Sequence, residues 1–73
     1  MNLVQKLPGE LRAGDMVHES RNYKTNVYEV VSVSYKNSPK EHFYQVLLRN
    51  KIGEVKHKQY HHMAVLNIES RNE

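Results

Sequence analysis

The sequence contains no cysteine and no long apolar run, and each absence argues against a class of protein. Small secreted domains usually depend on disulfides, so a chain without cysteine favours a reducing compartment. No stretch approaches the roughly 20 apolar residues that span a bilayer. The opening stretch also lacks the apolar run of a signal peptide. We therefore expect a cytoplasmic protein that has no membrane partner.

A recognisable catalytic motif is absent as well. There is no cysteine nucleophile, no serine lies in a nucleophile elbow, and the eight carboxylates are scattered along the chain. A chain of 73 residues forms a single domain with a small core, and such a core rarely encloses a substrate pocket. We expect a monomeric, non-enzymatic protein that needs no cofactor.

The charge balance is mildly basic, with 11 Lys and Arg against 8 Asp and Glu. This excess permits a nucleic acid or an acidic protein surface as partner, but requires neither. A dense arginine-rich surface is absent, which argues against sequence-specific reading of a double helix.

Two long runs rich in Val, Leu, Tyr and Phe, residues 27–35 and 42–49, predict β-strands. The connector 36–41 contains Asn, Ser and Pro, and residues 50–53 form a second turn signal. A shorter alternating run, 54–58, follows this turn. Three adjacent runs with short connectors indicate an antiparallel meander.

The rest of the chain provides the flanking elements of one small β domain, residues 11–68. Gly14 can take a positive φ, and Asp15 can bond local amides, where the chain turns into a first strand at 16–18. Residues 19–26 are expected to form a loop, and residues 63–68 a closing strand. The ends are expected to be an N-terminal arm (1–10), docked as a helical turn or an extended segment, and a frayed tail (69–73).

Residues 27–35 carry apolar side chains on both faces, which is typical of a strand that bends around a small barrel. Strict alternation places Val31 and Val33 on one face and Val30 on the other. The predicted core comprises Val17, Val30, Val31, Val33, Tyr44, Val46, Leu48, Val55 and Leu66. The alternative is a three- or four-stranded sheet with one short helix from residues 1–7 or 58–66; a single helical turn within 58–63 also fits the pattern.

Three segments together resemble an SH3-like barrel of the KOW type: LRAGDMV at 11–17, YEVVSV at 28–33, and LLRN with GEV at 47–55. Such barrels occur in NusG-type transcription factors, in some ribosomal proteins and as the first domain of elongation factor P. A small basic barrel also resembles the regulators that phages make to redirect host RNA polymerase.

These resemblances imply a regulatory protein that binds the transcription machinery, specifically RNA polymerase, in the host cytoplasm if the chain is phage-encoded. One alternative is an RNA-binding module of the ribosomal or translation type. Another is a small structural subunit.

The histidines are the candidates for a metal site. His57 and His61 have the i, i+4 spacing of two ligands on one helical face, but His57 lies in a predicted strand, where this spacing separates residues by about 13 Å. With no cysteine to complete a ligand set, we expect no metal. The five histidines are then surface or half-buried residues.

A basic and aromatic segment is the candidate partner-binding site. Cations beside an aromatic ring suit single-stranded nucleic acid or an acidic peptide, whereas the simpler interpretation is a solvated strand face. Residues of the predicted loop at 19–26 can extend the same surface. The predicted site comprises Tyr23, Lys24, Lys51, Lys56, Lys58, Tyr60 and His61.

Overall fold

The computed structural model describes residues 2–40 and 42–69, and these form one antiparallel sheet of six strands. The strands are β1 (Leu3–Lys6), β2 (Met16–Arg21), β3 (Lys24–Asn37), β4 (His42–Arg49), β5 (Val55–His61) and β6 (Leu66–Glu69). Their order across the sheet is β1-β6-β2-β3-β4-β5. The predicted mostly-β, antiparallel meander is confirmed, in a small barrel-like form. Among the described residues, no helix is long and apolar enough to cross a membrane.

A β-bulge at Val31 bends the long strand β3. Val30 pairs with Leu48, but the next pair in the ladder is Ser32 with Leu47, so Val31 is the extra residue. A bulge of this kind bends the strand and shifts the alternation of its side chains. Val33 therefore lies on the same core-facing side as Val30, and the prediction of strict alternation through β3 is wrong.

The hydrophobic core lies on one face of the bent sheet. Its buried members are Leu11, Val17, Val30, Val46, Leu48, Tyr60, Leu66 and Ile68. The predictions for Val17, Val30, Val46, Leu48 and Leu66 are confirmed, while Val33 and Tyr44 are partly buried against this cluster.

Strand β5 faces the opposite way from the prediction. The β4–β5 register pairs Leu48 with Lys56 and Val46 with Lys58, so the lysines share the core-facing side of the sheet. Val55 therefore points outward and is 53% exposed, and its assignment to the core is wrong. A long lysine stem can cover an apolar surface while its ammonium stays in water, so sequence alternation alone misidentified the inner face.

The N-terminal arm is an extended strand rather than a helix. β1 pairs with β6, from Leu3 opposite Glu69 to Lys6 opposite Leu66. A 3-10 turn (Pro8–Glu10) follows and is the only helical element among the described residues. Gly9 lies so close to the Tyr44 ring that a Cβ there would be 2.8 Å from the Tyr44 hydroxyl, so this turn packs over the core.

The predicted helix or helical turn within 58–66 is also absent, because β5 continues to His61. The N–H of Ala64 donates to the His61 carbonyl at 2.9 Å, which closes a short turn before β6. The predicted closing strand is confirmed only from Leu66 onward. Most of the predicted tail, residues 70–73, lies outside the described residues.

The turn into β2 forms as the sequence predicted. Gly14 has a φ of 95°, which glycine adopts without strain. The Asp15 carboxylate is buried and accepts the N–H of Arg12 at 2.9 Å. The Gly14 N–H donates to the Val30 carbonyl, and the Val30 N–H donates to the Asp15 carbonyl. These bonds attach the turn to β3.

Candidate functional site

The segment predicted as a loop at 19–26 is a tight β-hairpin. β2 and β3 stay paired up to Arg21 and Lys24, so only Asn22 and Tyr23 form the turn. Both turn residues have positive φ, 51° and 64°. Positive φ at both central positions characterises a type I′ turn, whose twist matches that of the flanking strands. The loop prediction missed this hairpin because the turn has no glycine.

Tyr23 combines backbone strain with complete exposure. Its ring is 110% exposed relative to the reference state, so it gains nothing from packing in the isolated chain. A left-handed conformation costs an L-residue with a bulky side chain about 1–2 kcal/mol, whereas Asn22 tolerates it better. The hairpin tip therefore presents an aromatic ring that the fold does not need for stability.

An open groove of about 390 Å³ leads from the core toward this hairpin, and we call it the β2–β5 groove. The lysines of β5 and Tyr60 form one wall, since Tyr60 pairs with Tyr44 on the core-facing side. β2 and the start of β6 form the other wall. The lining side chains central to the site are Glu19, Arg21, Tyr28, Lys56, Lys58 and Tyr60.

A hydrogen-bonded cluster joins the two walls of the groove. Lys58 Nζ donates to both carboxylate oxygens of Glu19, at 2.7 and 2.6 Å, and the Tyr60 hydroxyl donates to Glu19 Oε1 at 2.5 Å. Burial alone raises the pKa of Glu19, but these bonds and the nearby Lys56 charge outweigh it, so the pKa is lowered. Burial, followed by the bond to Glu19, raises the pKa of Tyr60.

The location of Tyr60 differs from the prediction. It was expected outside the core as an exposed ring, but it is only 8% exposed and belongs to the core cluster. Its direct role in partner contact stays a prediction. Its burial makes Tyr23, at the hairpin tip, the better candidate for an aromatic anchor.

The hairpin end of the molecule carries cations that have no carboxylate partner within the described residues: Arg21, Lys24, Lys51 and Lys56. Lys56 instead lies over the Tyr28 ring, with Nζ 4.1 Å from the centroid. Lys51 lines an adjoining depression that shares Tyr28 with the groove. The result is a positive surface around one tight hairpin.

The predicted site residues are only partly brought together. Lys56, Lys58 and Tyr60 line the groove; Tyr23 and Lys24 are at the hairpin turn, and Lys51 is in the neighbouring turn. His61 lies apart, because it follows the inward-facing Tyr60 and pairs with Phe43 on the outer side. Sequence analysis missed Glu19 and Tyr28, which alternation within β2 and β3 would have placed on this face.

The histidines at the opposite end contact one another as aromatic rings. The ring centroids of His61 and His62 are 4.5 Å apart, and those of His42 and His62 are 5.8 Å apart. His61 Nδ1 accepts the Met63 N–H at 3.2 Å. Among residues 2–40 and 42–69, no group of three or more His, Asp or Glu side chains is placed to hold a metal ion.

Comparison with known proteins adds no assignment to this geometry. No family model matches the chain. Neither the curated proteins nor the solved structures with which it was compared include a match. The arrangement of the hairpin and the groove is therefore the basis for a functional proposal.

Proposed function

We propose that this protein is a non-catalytic regulator that binds the transcription machinery, with RNA polymerase as its partner. The hairpin tip and the β2–β5 groove form the contact surface. The observation that carries the proposal is Tyr23, a fully exposed ring held in a strained turn between Arg21 and Lys24. Strained backbone and exposed aromatic residues are both enriched at binding sites.

Charge supports the same surface. The cations without carboxylate partners around the hairpin would attract an acidic surface from a distance, which mainly raises the association rate. Once the partner covers the Tyr23 ring, burial of this ring would determine the lifetime of the complex, as aromatic anchors do at interfaces. Substitutions of the cations should therefore change mainly the association rate, and substitutions of Tyr23 mainly the dissociation rate.

The choice of RNA polymerase rests on resemblance. The segments at 11–17, 28–33 and 47–55 resemble KOW-type barrels, and a bent six-stranded antiparallel sheet is compatible with such a barrel. We propose that the domain is SH3-like, and that it acts as phage regulators of host polymerase do, in the cytoplasm. The chain acts as a monomer in this proposal.

The test measures binding of purified bacterial RNA polymerase to the immobilised protein. Tyr23→Ala should speed dissociation about tenfold or more, corresponding to about 1–3 kcal/mol for a hot spot. Lys24→Glu with Lys56→Glu should slow association and reduce its dependence on salt. Lys58 is left unchanged, because a glutamate there would face Glu19 and disturb the fold.

Two controls isolate the surface. Met63→Ala removes a comparably exposed apolar side chain, 60% exposed, from the turn before β6. Lys36→Glu with Lys40→Glu makes the same double charge reversal near the opposite end of β3. Both should bind polymerase as the wild type does. An oligouridylate serves as the rival ligand. If the protein binds it tightly and with a steep dependence on salt, but does not bind polymerase, the protein is an RNA-binding module instead.

A further inference from the structure

Strand β5 is an edge of the sheet. It pairs with β4 on one side and is last in the strand order of the described sheet. Alternate backbone N–H and C=O groups of an edge strand point away from the sheet and can pair with another chain. β5 offers seven residues of such an edge, and its core-facing side chains form one wall of the β2–β5 groove.

The β5 edge is positively charged. Its sequence, VKHKQYH, contains two lysines and two histidines and no carboxylate. Lys56 faces the groove and has no carboxylate partner among the described residues, and Arg21 lies on the facing wall. In an antiparallel pair, directly opposite side chains share a face at about 4.5–5.5 Å between Cβ atoms. A carboxylate on an added strand, directly opposite Lys56, would therefore lie close to the Lys56 ammonium.

We infer that β5 binds an extended acidic segment of a partner protein, which adds to the sheet as a further strand along the groove. The inference deepens the proposed function, since it names the chemistry of the segment that the regulator recognises. Main-chain bonds to the edge supply affinity, and alternate carboxylates directed toward Lys56 and Arg21 supply specificity.

Two other occupants fit less well. A second copy of β5 paired antiparallel over all seven residues would set Lys58 opposite Lys58 and join two basic strands that contain no carboxylate, which disfavours a homodimer. A single-stranded nucleic acid lying in the groove needs open ring faces there for base stacking, but within the groove Lys56 lies over Tyr28, and Tyr60 is buried with its hydroxyl bonded to Glu19.

The experiment uses a fluorescent peptide of alternating Glu and Val with the length of β5, seven residues. We expect binding by anisotropy that weakens as salt rises, and none for the matched peptide of alternating Lys and Val. In uniformly labelled protein, the amide signals of residues 55–61 should shift more than those of β1. Lys56→Glu should weaken binding about fivefold or more, whereas Lys36→Glu should leave it unchanged.

Backbone pairing is tested by N-methylation of the peptide. Only alternate residues of an added strand direct their N–H groups to the edge. Methylating every Glu nitrogen and methylating every Val nitrogen should therefore differ: one set abolishes binding and the other leaves most of it. Equal effects of the two sets, or absence of binding by the unmodified peptide, would overturn the inference.

The same measurements separate this inference from the proposed function. If polymerase binds and depends on Tyr23 but the acidic peptide does not bind, the edge is not the recognition element and the regulator proposal stands. If the peptide binds along β5 but polymerase does not, the edge proposal stands and the partner is a different acidic protein. Oligouridylate that shifts the β5 amides while the peptide leaves them unchanged would refute the edge proposal in favour of nucleic acid.

Discussion

Replacing Tyr23 by glycine should stabilise the protein and weaken its binding to the partner. The residue occupies the second position of the hairpin turn with a φ of 64°. Glycine is the residue that this type of turn prefers there, after an asparagine such as Asn22. Because the ring is fully exposed, its removal costs no burial in the isolated protein. Opposite effects on stability and on binding would identify the ring as functional.

Two opposing contributions determine how much Tyr23→Gly changes the free energy of unfolding. Relief of the left-handed strain contributes about 1–2 kcal/mol, while the greater freedom of glycine in the unfolded chain offsets about 0.5–1 kcal/mol. We expect a net gain of about 0.5–1 kcal/mol. In a domain of this size, about 1 kcal/mol raises Tm by about 4–8 °C.

The assay is reversible thermal and urea unfolding of the wild type and three variants. Tyr23→Gly should shift both midpoints upward. Tyr23→Ala should stay near the wild type, because alanine retains the strain and the lost ring was not packed. Asn22→Gly should change stability by only a few tenths of a kcal/mol, since asparagine tolerates this conformation. A loss of stability in Tyr23→Gly would refute the argument, because it would mean that the ring packs on the fold or that the turn has another geometry.

Leu48→Ala should destabilise the fold by about 2–5 kcal/mol because it opens a cavity in the core, whereas Val55→Ala on the exposed side of β5 should be nearly neutral; similar urea midpoints for the two variants would contradict the assigned face. The lowered pKa of Glu19 adds stability that is present above its ordinary value of 4.5 and is lost as pH falls through the folded value. Glu19→Gln should therefore be less stable at neutral pH and should lose less stability in acid. If urea midpoints of the variant and the wild type fall equally as pH is lowered, Glu19 does not make this contribution. Tyr60→Phe should cost about 1–3 kcal/mol near neutral pH through the lost bond to the carboxylate. Because the folded pKa of Tyr60 is raised above 10.0, the wild type should lose stability as pH rises above that value, and Tyr60→Phe should lose less; identical alkaline profiles would argue against the bond.

The sequence predicted the class of fold because hydrophobic alternation and turn residues act locally. The turn at Gly14 and Asp15, the strand at 42–49 and the central core residues follow from such local signals. The bulge at Val31 could not be predicted in this way. One extra residue leaves the composition of a strand unchanged but reverses the faces of everything after it.

The candidate site was harder to predict than the fold. The lysines at 56 and 58 were recognised as a positive pair, but their inward direction depends on the long-range register with β4. The burial of Tyr60 depends on the same register and on Glu19 across the groove. The hairpin at Tyr23 was mistaken for a loop, because a turn without glycine gives a weak local signal.

The pairing of β1 with β6 brings the two ends of the described chain together, with Leu3 opposite Glu69. Within β6, Asn67 pairs with His18 and Ile68 with Val17. Because β2 runs toward the hairpin tip, the antiparallel β6 runs away from it. Fusion partners attached before β1 or after β6 should thus lie far from Tyr23 and leave the tip accessible. The same proximity favours circular permutation, in which a short linker joins the ends and new termini open in the exposed bend at residues 39–40.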